Sequence, residues 1–329
     1  MTVVAQAEKA QDVRTFSVYL ENDTFAATDE RYTSGMKLTW ISPDLMNYQE
    51  DSRLPTWSYP LIKWLPFVKK PGFQRAITMS IGQNIYTPED IERSDLIEED
   101  QPYAGIAYFA IGFQSKNSRQ MDTLEFDLGV VGPRSYAEES QRLVHKWINS
   151  DHPKGWDNQL KNEPTLDVIY MRKRKLLQSG VGSDFGYDVI PHVGARLGNV
   201  FTYANAGTQV RFGWNLPNDF GTFLIRPGCE CNAPLDERDP RLFPRERFGI
   251  HVFAAVDAHT VLRDISLDGN TFRDSHRVDK EHLTANLMAG LGLIVGRFKI
   301  SYAYVYQTKK FKAQKDEHIF GTITVSFSY

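Results

Sequence analysis

An all-β fold, an antiparallel transmembrane β-barrel of about twelve strands with a short helix in an extracellular loop, is what this sequence predicts, on three observations. The C-terminal stretch alternates without a break: Ile319, Gly321, Ile323, Val325, Phe327 and Tyr329 on one face, Phe320, Thr322, Thr324, Ser326 and Ser328 on the other. One greasy face and one small polar face suit a wall between lipid and a polar lumen. No run of about 18 apolar residues exists, which excludes an ordinary spanning helix. The mean hydropathy of -0.41 is low, as alternation of lipid-facing and lumen-facing residues makes it.

The elements follow in order. Strands are expected at 13–23, 32–43, 73–86 and 103–115, then along Leu124, Phe126, Leu128 and Val130, whose opposite face carries Glu125 and Asp127. Further strands are expected at 164–178, 184–198 and 200–213. From Ile250 to Thr260, the row Ile250, Val252, Ala254 and Val256 opposes His251, Phe253, Asp257 and His259, and charges on that second face want a polar lumen. Leu283, Ala285, Leu287, Ala289, Leu291, Leu293 and Val295 form an outward row, joined by Gly296-Arg297 to a strand with Phe298, Ile300, Tyr302, Tyr304 and Tyr306 on its apolar face. Tyrosines ending an apolar row read as an interfacial girdle. The closing strand ends in an aromatic residue and resembles the assembly signal of bacterial barrels. Twelve strands is an even number, as single-chain bacterial barrels require. Residues 1–12, with Ala5-Gln6-Ala7 in the small-x-small form of a signal-peptidase site, are set apart as a flexible N-terminal remnant, and 13–329 as one barrel domain.

If both termini lie in the periplasm, connections after odd strands face outside. Two connections then break the short-inside rule: residues 44–72, aromatic and basic enough to lie on a membrane surface, and residues 214–246, which contain Cys229 and Cys231. One helix is expected in the connection after the fifth strand. Ser135 and Glu138 have capping-box spacing, and Leu143, Val144, Trp147 and Ile148 form an apolar stripe ending near Asn149. Gln141 and His145 lie one turn apart beside that stripe.

The 38 basic and 41 acidic residues leave no basic field, so nucleic acid is not an expected partner. Two cysteines are too few for a disulfide framework or a zinc site. Chemistry is expected elsewhere. An imidazole suits general-base work near neutral pH, which singles out His145. Glu21-Asn22-Asp23 puts oxygen donors at a strand tip, followed by Tyr32-Thr33-Ser34-Gly35. Such donors suit Ca²⁺, and equally an Asx-rich turn.

These stretches, with Arg31, Gln83-Asn84-Ile85-Tyr86-Thr87-Pro88, Asp100 to Gly105, Gly129-Val130-Val131-Gly132-Pro133 through His145 to Trp156, and Leu267 to Phe272, resemble the outer-membrane lipid A 3'-O-deacylases. Their shared order and spacing carry the resemblance across essentially the whole chain. It implies a Ca²⁺-dependent ester hydrolase of the bacterial outer membrane, with a site between the outer barrel wall and a loop helix, facing the outer leaflet. The implied substrate is lipid A of lipopolysaccharide, and the implied reaction removes the 3'-linked acyl (acyloxyacyl) group. The implied site residues are His145 as general base, Asn22 and Asp23 as paired site residues, Thr33 as a site hydroxyl, and Gln141 beside the base. Arg93 falls near a family lysine and would bind substrate as a planar fork instead of a point charge, and Gln101 stands where many relatives carry Arg. Asp23, with Asp151, would hold calcium, polarising the ester carbonyl while His145 takes a proton from water. The chain is expected to act as a monomer among outer-membrane lipids. Two other functions fit the same barrel: a phospholipase, for which Ser34 beside Thr33 is the available serine, and a non-enzymatic porin or adhesin.

Overall fold

A computed structural model of the chain describes residues 12–26, 34–45, 67, 71–148, 153–180, 184–225, 228, 230–242 and 248–329. Twelve antiparallel strands form the wall: β1 (Thr15–Asn22), β2 (Ser34–Ile41), β3 (Gln74–Tyr86), β4 (Ala104–Lys116), β5 (Gln120–Val131), β6 (Glu163–Arg174), β7 (Phe185–Gly198), β8 (Phe201–Trp214), β9 (Phe248–Asp264), β10 (Leu283–Val295), β11 (Phe298–Gln307) and β12 (His318–Ser328). Leu177–Ser179 continues β6 beyond a two-residue break, because both segments pair with β7 and their registers differ by a single residue. The barrel closes where β1 lies on β12, from Thr15↔Ser328 to Asn22↔Gly321. Arg14 and Tyr329 finish that seam by exchanging backbone hydrogen bonds of 2.8 and 2.9 Å.

Alternation decides which side chain meets which solvent. On β1, Phe16 and Leu20 are exposed while Thr15, Ser17, Tyr19 and Glu21 are buried in the lumen. On β10, Leu283, Leu287, Leu291 and Val295 form the exposed row. An apolar belt around a polar interior is the arrangement a spanning barrel needs, since lipid offers the backbone no partners and closure removes every free strand edge. The turn Gly296-Arg297 and the short connection from Lys116 to Gln120 mark the inner rim. The opposite, outer rim carries both helices, α1 (Ala137–Ile148) between β5 and β6 and α2 (Ile265–Asp268) between β9 and β10.

One expectation is corrected here. Residues 214–246 do not hang below the barrel: the described part, 215–225, 228 and 230–242, folds up into the lumen as a plug. The reason is electrostatic. Strands that turn charges inward need counter-charges and hydrogen-bond partners there, and the plug brings them. Asp219 accepts from Arg211 on β8 (2.5 Å), Lys299 on β11 (2.7 Å) and the plug's own Arg241 (3.0 Å). Glu230 pairs with Lys37 on β2 and accepts from Tyr19 on β1 at 2.8 Å. Backbone N–H groups of Ile225 and Gly228 donate to Glu21 and Glu125 at 2.6 and 3.0 Å. Phe220, Phe223, Cys231 and Leu235 complete the fill against Met121, Met171 and Ile190. The Cys231 thiol, free and buried, donates to the Gly221 carbonyl at 3.3 Å. Burial alone would raise the Asp219 carboxyl, but Lys299, Arg211 and Arg241 outweigh it and hold the group well below the usual carboxylate range. Of residues 44–72 only 44, 45, 67, 71 and 72 are described, so the membrane-surface expectation for that segment lies outside the described residues, as do residues 1–11 and Cys229.

Candidate functional site

The site is built on the outside of the wall. Strand registers place Gly321, Asn22, Ser34, Ile85 and Gly105 in one transverse row across β12, β1, β2, β3 and β4, near the outer rim. All five occupy outward positions, in phase with the exposed Leu20 and Met36 one step below. Both ends of the row are roofed. At one end the 3-10 turn Asp23–Ala26 folds over β12: a Cβ on Gly321 would lie 2.5 Å from that of Phe25, and Tyr302 Oη donates to the Phe25 carbonyl at 2.9 Å. At the other end a Cβ on Gly105 would lie 2.2 Å from both Ala137 Cβ and Ser135 Oγ, so glycine there lets α1 lie directly on the wall. Asn22 and Ser34 form the polar middle.

The way α1 starts differs from the expected capping box. Ser135 belongs to a preceding 3-10 turn, Pro133–Ser135, and its hydroxyl donates back to the Gly132 carbonyl at 2.6 Å. Tyr136 then takes the left-handed conformation (φ 56°) and redirects the chain into the helix. Gln83, facing outward on β3, donates to the Ser135 carbonyl at 2.6 Å and pins the junction.

The helix turns its polar row, not its apolar stripe, to the protein. Ala137, Gln141 and His145 are buried at successive turns, His145 at 3% exposure, while Leu143 and Trp147 stand 50% and 77% exposed. Beneath, Ile85, Tyr103, Ala137 and Trp156 make a small apolar cluster outside the barrel. Trp156 Nε1 donates to Gln141 Oε1 at 2.8 Å and its ring sits 4.9 Å from that of Tyr103. Tyr103 Oη donates to the Ile91 carbonyl at 3.1 Å, and burial pushes its phenol up to about 12, so it is a neutral donor. The remaining amide of Gln141, Nε2, is buried and has no hydrogen-bond partner among the described residues. A buried donor left open is a ready contact for a ligand oxygen. Trp156 has no site role in the sequence reading, where only its place in a quoted stretch hints at it, and Ser34 enters there only as the serine of the phospholipase alternative.

Asn22 is half-buried in the middle of the row; Asp23 is buried at the mouth of the roofing turn. Asn22, Asp23 and His145 are all engaged by further interactions. A helix that starts over Gly105 and crosses β3 carries His145, eight residues on, about 12 Å along the wall. Three strand spacings of about 4.8 Å separate β4 from β1. His145 on this reckoning falls short of β1, and the strands that α1 packs against are β4 and β3. Arg93 is not drawn in: its side chain is exposed on the β3–β4 connection, although its carbonyl lies 2.9 Å from where a Cβ on Gly155 would sit. Thr33 and Asp151 lie outside the described residues. Among the described residues no group of three or more His, Cys, Asp or Glu is placed to hold a metal ion. Other quoted motifs serve the rim. Asp100 accepts from Glu89 N and Gln101 N at 2.7 and 2.8 Å, and Asn270 grips Lys161 through two backbone bonds.

The whole chain, residues 1–329, matches the family model described as outer membrane protein LpxR. The chain belongs to the LpxR family. LpxR from Salmonella typhimurium is a structural neighbour with a TM-score of 0.71 at 18% identity, covering 95% of this chain and 99% of that one. At that identity the likeness shows the fold, a closed barrel of the same kind. The β domain of the Bordetella autotransporter BrkA (TM-score 0.41, 10% identity, 96% and 97% coverage) and the translocator domain of NalP from Neisseria meningitidis (0.37, 9%, 100% and 94%) are more distant barrels. No curated protein sequence matches the chain. As a member of the LpxR family the protein is an outer-membrane β-barrel.

Proposed function

We propose that this LpxR-family barrel hydrolyses an ester of lipid A, releasing the 3'-linked acyl group, at the wall-side cleft between the Asp23–Ala26 turn and α1. The observation that supports the reading is the position of the polar pair Asn22–Ser34, directly above the lipid-facing Leu20 and Met36 and next in the row to Ile85, which packs against the helix that buries Gln141 and His145. A substrate with a polar ester above long acyl chains matches that order: chains lie along the apolar belt while the ester reaches the polar row.

In this reading His145 takes a proton from the attacking water and returns it to the leaving sugar oxygen. Gln141, fixed by Trp156 through its Oε1, offers Nε2 to a substrate or oxyanion oxygen. Asn22 and Thr33 orient the ester, and Arg93 meets a head-group phosphate from the adjoining loop. Asn22 and Asp23 are oxygen donors of the type Ca²⁺ takes, and in this reading Asp23, with Asp151 from outside the described residues, would hold the ion. Calcium bound there would supply Lewis-acid polarisation of the ester carbonyl. The filled lumen supports an enzyme over a porin.

The test is fatty-acid release by the purified protein from lipid A and, in a second arm, from a phospholipid. Release from lipid A alone, lost in His145→Ala, supports the proposal. Equal release by His145→Ala, or release from phospholipid only, would sink it.

A further inference from the structure

The helix α1 has three sides with different chemistry. At about 100° per residue, Ala137, Gln141 and His145 centre on the wall. Leu143, Val144 and Trp147 then lie roughly 110° to one flank, and Arg142 and Lys146 about 120° to the other. The apolar flank is exposed by 50%, 37% and 77% at its three residues. In water such a flank would be an unmet liability.

Chain handedness fixes which flank points where. Arg14, an outward-facing residue ascending into β1, sends both backbone hydrogen bonds to Tyr329 on the β12 side. For an L-residue on an ascending strand with its side chain toward the viewer, those groups point right. Seen from the lipid with the outer rim up, β12 is therefore right of β1, and β2, β3 and β4 follow to the left. The helix begins against β4 and packs on β3, so it runs left to right. A right-handed helix on that course, with His145 to the wall, turns Arg142 and Lys146 up and Leu143, Val144 and Trp147 out and down. Down is where the exposed belt of Met36, Ile81 and Phe109 continues.

We propose that α1 is an interfacial helix whose Leu143–Val144–Trp147 flank is seated among the outer-leaflet acyl chains. The occupant is lipid because the flank is continuous with the barrel's lipid-facing belt, while the upper flank, where Arg142 pairs with Glu138 at 2.6 Å, is charged and suits the aqueous side. Local amphipathicity would set that stripe against protein; a lipid neighbour explains why the polar row is buried instead. The inference rests on the barrel and the helix orientation alone and stands apart from the proposed chemistry.

The experiment is tryptophan quenching in the full chain folded into phosphatidylcholine vesicles. The chain has six tryptophans, so the Trp147 signal is the difference between wild type and Trp147→Phe. Lipids brominated near the head of the acyl chain should more than halve that signal, and aqueous iodide should barely change it. Leu143→Trp in the Trp147→Phe background should behave the same way, whereas Lys146→Trp in that background should respond to iodide and not to bromolipid. Iodide quenching of the Trp147 signal without bromolipid quenching overturns the proposal. Protection from both quenchers, which would put a second protein copy over the flank, overturns it as well.

Discussion

A Cβ placed on Gly105 would come within 2.2 Å of the Cβ of Ala137. The helix that buries Gln141 and His145 rests on the barrel wall at a point where no larger residue fits. Gly105→Val is therefore expected to lift α1 while leaving the strand able to pair. A misplacement of about 1 Å costs on the order of a hundredfold in rate, so lipid A hydrolysis should fall by about that much. Heat-modifiable migration on gels should show the barrel still folded; unchanged activity would mean that the helix seat does not position the site.

Trp156 and Gln141 are joined by a single hydrogen bond between buried side chains. Trp156→Phe keeps the ring against Tyr103 but leaves the Gln141 oxygen unmet, a penalty of about 1–3 kcal/mol. The expected loss in kcat is about fivefold to a hundredfold, measured on the purified variant. Full activity would remove Gln141 from the account.

Asp219 closes the plug against three cations. Its folded carboxyl is held below the ordinary range, so its contribution is present above the unfolded value of about 4 and is lost only as pH falls through the lower folded value. The plug should stay shut as pH falls from neutral to about 4, and planar-bilayer recordings of wild type should show no steady conductance across that window. Asp219→Ala removes the ionic partner of Lys299 and one partner each of Arg211 and Arg241, which keep Asp188 and Asp239. Breaking such a buried network costs about 3–5 kcal/mol, and channel openings should appear.

Calcium dependence has its own check. EDTA is expected to abolish fatty-acid release and added Ca²⁺ to restore it, with Asp23→Asn needing more ion to reach half-activity. Activity indifferent to EDTA would leave the protein residues to stabilise the oxyanion unaided.

The wall was legible from sequence because each strand carries its own alternation, and only the boundaries moved by a few residues. The plug was not, because Asp219 meets partners 8 and 80 positions away and has no local period. A signal existed nonetheless: Lys37, Arg211 and Lys299 sit at lumen positions and had to be answered by something. The Gln141–His145 spacing marked one side of the helix correctly. What sequence could not give was which side faces the wall, since lipid reverses the usual rule that an apolar stripe packs inward. Ser135 illustrates the same limit, with capping-box spacing but a hydroxyl spent on Gly132.

The most direct measurement is mass spectrometry of lipid A from Gram-negative cells expressing the wild-type chain, the His145→Ala chain, or neither. The wild type should produce lipid A lacking the 3'-acyloxyacyl mass, and the other two should match each other with that mass intact. An unchanged pattern with correctly folded wild-type protein, or the same loss with His145→Ala, would contradict the account.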